Sequence, residues 1–366
     1  MRIPCERRHE TLQRYQNIQT ATLNTADMSI TNPSHAVQDE NVTFRESCGT
    51  FPKSLEENLK IVTDYRFNVP LDYQRFLKLD VDGIENLKKR ILGKTIPVIA
   101  TAVSSNHFRE IQSLIENIHE NVMKTFDMKF ILYDIGLTEP EAKIIQKNCR
   151  CDYRKFPFHK FPDHVRILRG YTWKPIIIQL VLIEYDFIMW VDASIRFHGN
   201  VLDSLFKEAY ETEIKILPGG GSIADRTYGF TFNALGEDPC FFRRKEYSAS
   251  CILIRRTNFT LHGILKPWVS CALQYGCMTS DNVEKIIDCR RNGLLSDVPL
   301  HRCHRFDQSV ISILLTRLFN DNNDFLLIKY KEYLSKKRRL TSDYLEKLYY
   351  SDLSERKSNE ASLTDS

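Results

Sequence analysis

Asp192 closes the run Phe187-Ile188-Met189-Trp190-Val191 and is the first carboxylate after a long apolar approach. Sheets covered on both faces gather their ligands at the carboxyl ends of their strands, so an acid released there can hold a charged ligand or a metal ion. The plain alternative is an aspartate that caps the next helix. Ser194, two places on, offers a hydroxyl to a ligand or to a metal-bound water, or simply closes a turn. Far along the chain, Asp307-Gln308 opens an apolar segment. A carboxylate beside an acceptor can take its proton as a general base, and the neighbouring amide can orient a hydroxyl. The alternative for Asp307 is an N-cap. His301 and His304 lie three apart just before it, a spacing that can bring an imidazole to a metal, although a loop histidine is more often structural.

These side chains need elements to position them. Trp173 to Ile183 is apolar almost all round and reads as a buried helix feeding the strand that ends at Asp192. Ile96 to Ala102 reads as an earlier buried strand, and Ile111, Leu114, Ile115, Ile118 and Val122 form one helical stripe after it. Lys129 to Asp134 is a second strand, Thr138-Glu139-Pro140-Glu141 a capping box opening a second helix, and Cys151 to Phe158 a third strand. This alternation predicts an α/β fold with a mainly parallel central sheet, right-handed crossovers and helices on both faces. Pro218-Gly219-Gly220-Gly221-Ser222 is expected to be neither helix nor strand, and to let backbone approach a ligand or to be a surface loop. Further strands are expected at Tyr247–Arg255 and Phe325–Ile328, and helices at Phe259–Tyr275 and from Asp307, with Val310, Ile311, Leu314 and Leu315 turned inward.

At 366 residues the chain suits one large domain with dressed ends: a flexible stem over 1–53, a helical extension over 54–95, the domain over 96–330 and a polar tail over 331–366 in which no chemistry is visible. The formal balance of +4 gives no argument for nucleic acid. No stretch approaches the length of a membrane span, and the first residues lack the apolar core of a secretory signal. The ten cysteines lack the paired CxxC spacings of zinc sites, which leaves disulfides or buried thiols. No Gly-x-Gly-x-x-Gly follows the first strand and no Gly-x-x-x-x-Gly-Lys-Ser/Thr occurs, so the dinucleotide and P-loop readings lose their motifs.

A buried helix carrying Lys174-Pro175, an apolar strand and then Asp192-Ala193-Ser194 resembles the nucleotide-sugar region of GT-A glycosyltransferases. The wording Tyr-x-Trp-Lys-Pro-Ile-Ile-Ile, Trp-Val-Asp-Ala-Ser-Ile-Arg-Phe and His-Arg-Phe-Asp-Gln-Ser is similar to a mainly invertebrate glycosyltransferase-like family, from about Ile96 to Leu327. The resemblance implies a GT-A-like nucleotide-diphospho-sugar transferase fold and a sugar moved from a nucleotide-sugar donor to a glycan or other hydroxyl acceptor. It implies a Golgi-type lumenal setting; the alternative, with no anchor or signal in view, is a soluble intracellular protein. Thr101, Ala102 and Asp134 would then hold the nucleotide, Arg169 and Lys174 would offset diphosphate charge, and Ser194 would join the donor site. Asp192, with His304 as a second ligand, would carry Mn2+ or Mg2+, although Ser194 stands where metal-dependent members have their second acid. Asp307 and Gln308 are expected on the same cleft as Asp192, roughly one sugar plus a diphosphate away. The rival is a carbohydrate- or nucleotide-binding domain that retains the fold without catalysis.

Overall fold

The computed structural model describes residues 54–80, 95–198, 201–280, 289, 303–320 and 323–364. The first helix, α1 (Leu55–Thr63), is set by a capping box in which the Ser54 hydroxyl accepts from Glu57 N and the Glu57 carboxylate answers Ser54 N. Just after it, Tyr65 OH donates to Glu237, which also accepts from Arg317 Nε at 2.7 Å. That triad, with Glu237 and Arg317 buried and Tyr65 half-buried, fastens the extension to the domain. A short α2 (Leu71–Phe76) leads to the buried Leu77 and Leu79, and Gln179 Nε2 donates to Leu77 O at 2.6 Å. The part of the expected helical extension over 81–94 and the stem over 1–53 lie outside the described residues.

The central sheet starts with β1 (Val98–Val103), α3 (Phe108–Asn117), β2 (Phe130–Asp134), α4 (Glu139–Asn148) and β3 (Asp152–Lys155). The Thr138/Glu141 capping box opens α4, as the sequence pattern required. Then come α5 (Trp173–Glu184), β4 (Phe187–Val191), the short β5 (Ile195–Phe197), α6 (Leu202–Thr212), β6 (Ile214–Ser222), α7 (Gly229–Leu235) and β7 (Lys245–Arg255). Strand order is β3-β2-β1-β4-β7-β6, with β3, β2, β1 and β4 parallel. Only β7 runs against its neighbours, pairing antiparallel with both β4 and β6. The sheet is mainly parallel, as its βαβ order dictates, and helices cover both faces. On one face α3, α4 and α6 bury Ile99, Met189, Val191 and Leu253. On the other, α5, α8 (Lys266–Leu273) and α9 (Asp307–Phe319) pack together, α5 against β4 and α9 against β7. All five side chains of β4 are buried, each stabilising by roughly 1.5–3 kcal/mol.

Three expectations are corrected. Pro218–Ser222 is the end of strand β6, interrupted by register shifts at Ile216/Leu217 and Pro218/Ser222. Its glycines serve approach to β7, since a Cβ on Gly219 would stand 2.4 Å from Glu246 O. Phe325–Ile328 forms a 3-10 turn over Asp324–Leu326 and a single bridge from Ile216 to Leu327 in place of a strand. The segment after 331 belongs to the fold. Its β8 (Leu334–Lys336) pairs antiparallel with β5, and α10 (Tyr344–Thr364) docks on α3 and α4, its first turn held where Leu345 N and Glu346 N donate to Gln112 Oε1.

Among the described residues, disulfides join Cys149 to Cys151, Cys271 to Cys277 and Cys289 to Cys303, and Cys251 is a buried free thiol. Among those residues no helix is long and apolar enough to cross a membrane.

Candidate active site

The connection β1-α3-β2 leaves β1 on one side and β4 adjoins it on the other, so the strand order reverses direction between them. Crevices form at such a switch point because the chain departs from the two strands in opposite directions. The β1/β4 register ends at Ala100↔Trp190. Past the ends of the two strands lies a cleft of about 1400 Å³ lined by Ala102 from β1 and Asp192 just past β4.

At its floor stands Lys174, from the first turn of α5. Its Nζ lies 3.1 Å from Asp192 Oδ1 and 2.7 Å from Asp307 Oδ2, and donates to Ala249 O at 3.4 Å. The contact with Asp307 is an ion pair without hydrogen-bond alignment. Aromatic faces complete the enclosure, with Lys174 Nζ 5.5 Å from the Tyr171 ring centroid and 5.6 Å from that of Trp190. Trp190 Nε1 also donates to Asp192 Oδ1 at 3.0 Å. Both donors therefore meet the same oxygen, and among the described residues none meets Oδ2. The Asp192 side chain is 34% exposed while that of Asp307 is 7% exposed.

Environment separates the two acids. Burial pushes the Asp307 carboxyl up, and the Lys174 charge offsets only part of that, so it stands above the ordinary aspartate range. For Asp192 the cost of burial is outweighed by Lys174, Lys336 and the Trp190 N–H, which hold it below that range. Burial also opposes charge on Lys174, but the two carboxylates overcome it and keep its pKa above the usual lysine value. The ammonium stays charged between two acids of different proton affinity.

Backbone strain marks the approach to this pair. Tyr171 and Phe306 have φ of 53° and 47°, unusual for bulky side chains, and their rings meet at 5.9 Å. Tyr171 leads into α5 and Phe306 into α9, so each strained residue delivers one member of the Lys174–Asp307 pair. Asp307 takes the first helical position after Phe306, not the cap position. An acid there is favoured by the helix dipole.

The structure sorts the other expected residues. Arg169, Lys174, Ser194 and Gln308 line the cleft, as does Ala102. Thr101 does not: it is wholly buried, and its Oγ1 donates to Val191 O at 2.7 Å to tie β1 to β4. Asp134 is likewise absorbed by the fold, accepting from Gly136 N at 2.8 Å, Leu137 N at 2.7 Å and Tyr153 OH at 2.6 Å. Asp192 and Asp307 open onto one cleft, but share one ammonium where a sugar-diphosphate separation was expected. His301 lies outside the described residues.

A divalent cation does not fit these residues. Lys174 occupies the space between the two carboxylates, and Ser194 brings no charge. His304 borders the cleft, but its Nδ1 accepts from Tyr228 N at 3.2 Å and its Nε2 faces Met278 O at 3.0 Å. Burial lowers its pKa to about 4, so the ring is neutral with both nitrogens committed. Among the described residues no group of three His, Cys, Asp or Glu is placed to hold a metal.

Sequence reasoning missed Lys336, Arg338 and Arg339, which line the same cleft. The signal was present as four consecutive basic residues, Lys336-Lys337-Arg338-Arg339, in a segment that reads as a solvated tail.

Residues 73–179 match a family described as Protein of unknown function (DUF1647). No curated protein matches the chain. Among solved structures it is similar to the bifunctional glycosyltransferase WbbM in its apo form, with 9% identity, 49% of this chain and 35% of that chain covered, and a TM-score of 0.34. It is also similar to the galactosyltransferase LgtC in complex with donor and acceptor sugar analogues, with 14% identity, coverage of 47% and 59%, and a TM-score of 0.29. Core-mannan synthase A from Aspergillus fumigatus, in its Mn/GDP form, gives 11%, 61% and 70%, and 0.35. The chain thus spans 35% of the length of WbbM and 59% of that of LgtC.

Proposed function

We propose that this chain is a GT-A-like glycosyltransferase that moves a sugar from a nucleotide diphosphate donor to a hydroxyl acceptor. The observation that carries the reading is Lys174 held between Asp192 and Asp307 at the floor of the cleft by the β1/β4 switch point. Transfer leaves negative charge on the departing diphosphate, and cations fixed in a partly buried cleft stabilise that charge without reorganising. Lys174 supplies one such charge. Asp192, kept ionised, orients Lys174 and presents its unmet oxygen to a donor hydroxyl. Asp307, whose proton affinity is raised, takes the acceptor proton if the reaction inverts, and Gln308 orients the acceptor beside it. Arg169, Ser194 and Ala102 line the donor side.

The disulfides favour an oxidising, lumenal compartment for this activity. One observation favours the rival reading of a binding domain without catalysis: both acids are already engaged by Lys174. Incubating the purified protein with a panel of nucleotide sugars and following release of nucleoside diphosphate tests the two. Release that is lost in Asp192→Asn supports transfer, and binding without release under every condition leaves the rival.

A further inference from the structure

We propose that the cleft binds a diphosphate without a divalent cation, on a basic wall supplied by the C-terminal segment; this rests on the transferase reading only for the nucleoside and sugar parts of the ligand.

Charge balance in the cleft decides for an anion. Six basic side chains line it, Arg169, Lys174, Arg305, Lys336, Arg338 and Arg339, against three acids, Glu110, Asp192 and Asp307. The acids are also engaged: Lys174 serves two of them, and Glu110 Oε1 accepts from Arg339 N at 3.2 Å. A divalent ion needs several carboxylates to face it, and the unmet oxygen of Asp192 is a single one, whereas a diphosphate needs cations such as the exposed Arg338 and Arg339.

The wall is held in place. Register pairs Ile195 with Lys336, and Lys337 N donates to Ser194 O at 2.7 Å, so β8 is pinned beside Asp192. Lys336 Nζ donates to Ser250 Oγ at 2.9 Å. Arg338 and Arg339 are exposed, and among the described residues their guanidinium groups form no ion pair. Each presents a planar fork that matches phosphate oxygens two at a time. Lys174 thus supplies one cation from the floor of the cleft while holding both acids, and the C-terminal cations supply the outer charges that receive the phosphates.

Calorimetric titration of the full chain with inorganic pyrophosphate, UDP and GDP in excess EDTA tests this. Saturable one-site binding of pyrophosphate is expected, weakened about three- to tenfold for each charge removed in Arg338→Gln, Arg339→Gln and Lys336→Met. The two arginine substitutions are on exposed side chains, so an unchanged melting temperature separates lost binding from lost folding. Nucleoside diphosphate binding that requires added Mn2+ overturns the inference and leaves the transferase reading standing. Pyrophosphate binding in EDTA that all three variants retain overturns the assignment of the wall. Binding in EDTA with no turnover of any nucleotide sugar keeps the inference and removes the transferase reading, and absence of binding under both conditions removes both.

Discussion

Lys174 and Asp307 come from the starts of two different helices and meet at 2.7 Å beneath the cleft, with Lys174 almost wholly enclosed. Removing one member of such a pair strands the other. Lys174→Met should cost about 3–5 kcal/mol, because Asp307 is left as an uncompensated buried acid. Lys174→Met combined with Asp307→Asn should recover much of the loss. Equal melting temperatures for wild type and Lys174→Met would show that the pair contributes nothing to stability.

Asp192→Asn keeps the shape of the side chain and deletes its charge. An amide oxygen can still accept from Trp190 Nε1, so the protein should fold. Donor turnover should fall about 10²- to 10³-fold, as expected for loss of one preorganised electrostatic contact. Steady-state release of nucleoside diphosphate reads this out, and undiminished release would remove Asp192 from the site.

Lys336 sets an alkaline limit. Burial, reinforced by Arg338, Lys174 and Arg305 and opposed by Asp192, lowers its pKa to about 8. A lysine with a depressed pKa is charged below that value and neutral above it, so pyrophosphate affinity should decline as pH rises through about 8. Titrations across this range should show the decline in wild type and its absence in Lys336→Arg.

Arg317→Met addresses the extension. Glu237 is buried and is held by Arg317 and Tyr65. Losing the guanidinium should destabilise by about 3–5 kcal/mol, whereas Tyr65→Phe, which removes one neutral donor, should cost about 1–2 kcal/mol. Urea unfolding of both variants checks the order of the two effects.

The α/β order was legible because its signals are local. An apolar run of strand length stopping at Asp192, a capping box at Thr138 and a helix from Trp173 that is apolar almost all round each declare themselves within a few residues. Long-range pairing was not legible. The resemblance gives Lys174 a diphosphate to offset, but nothing near it in sequence tells that Asp192 and Asp307 converge on its ammonium. Thr101 and Asp134 look like strand-end ligands, but a buried hydroxyl or carboxylate must be satisfied, and Val191 O, Gly136 N, Leu137 N and Tyr153 OH satisfy them inside the fold. Gly219 sits in a strand because Glu246 backbone lies alongside it, a fact of pairing that composition does not carry. Three residues of β8 are too few for any periodicity, so the basic segment that completes the cleft passes for a tail.

The pairing of β8 with β5 also sets an order of events during synthesis. Chains fold from the N-terminus as they emerge, and the six strands β1 to β4, β6 and β7 of the central sheet all precede Leu334 to Arg339 in the chain. Until that segment appears, Ile195–Phe197 has no partner strand and the cleft lacks its outer cations. A chain ending just short of Leu334 would keep Lys174, Arg169, Arg305 and both acids but would lack Lys336, Arg338 and Arg339, the wall proposed to receive the phosphates.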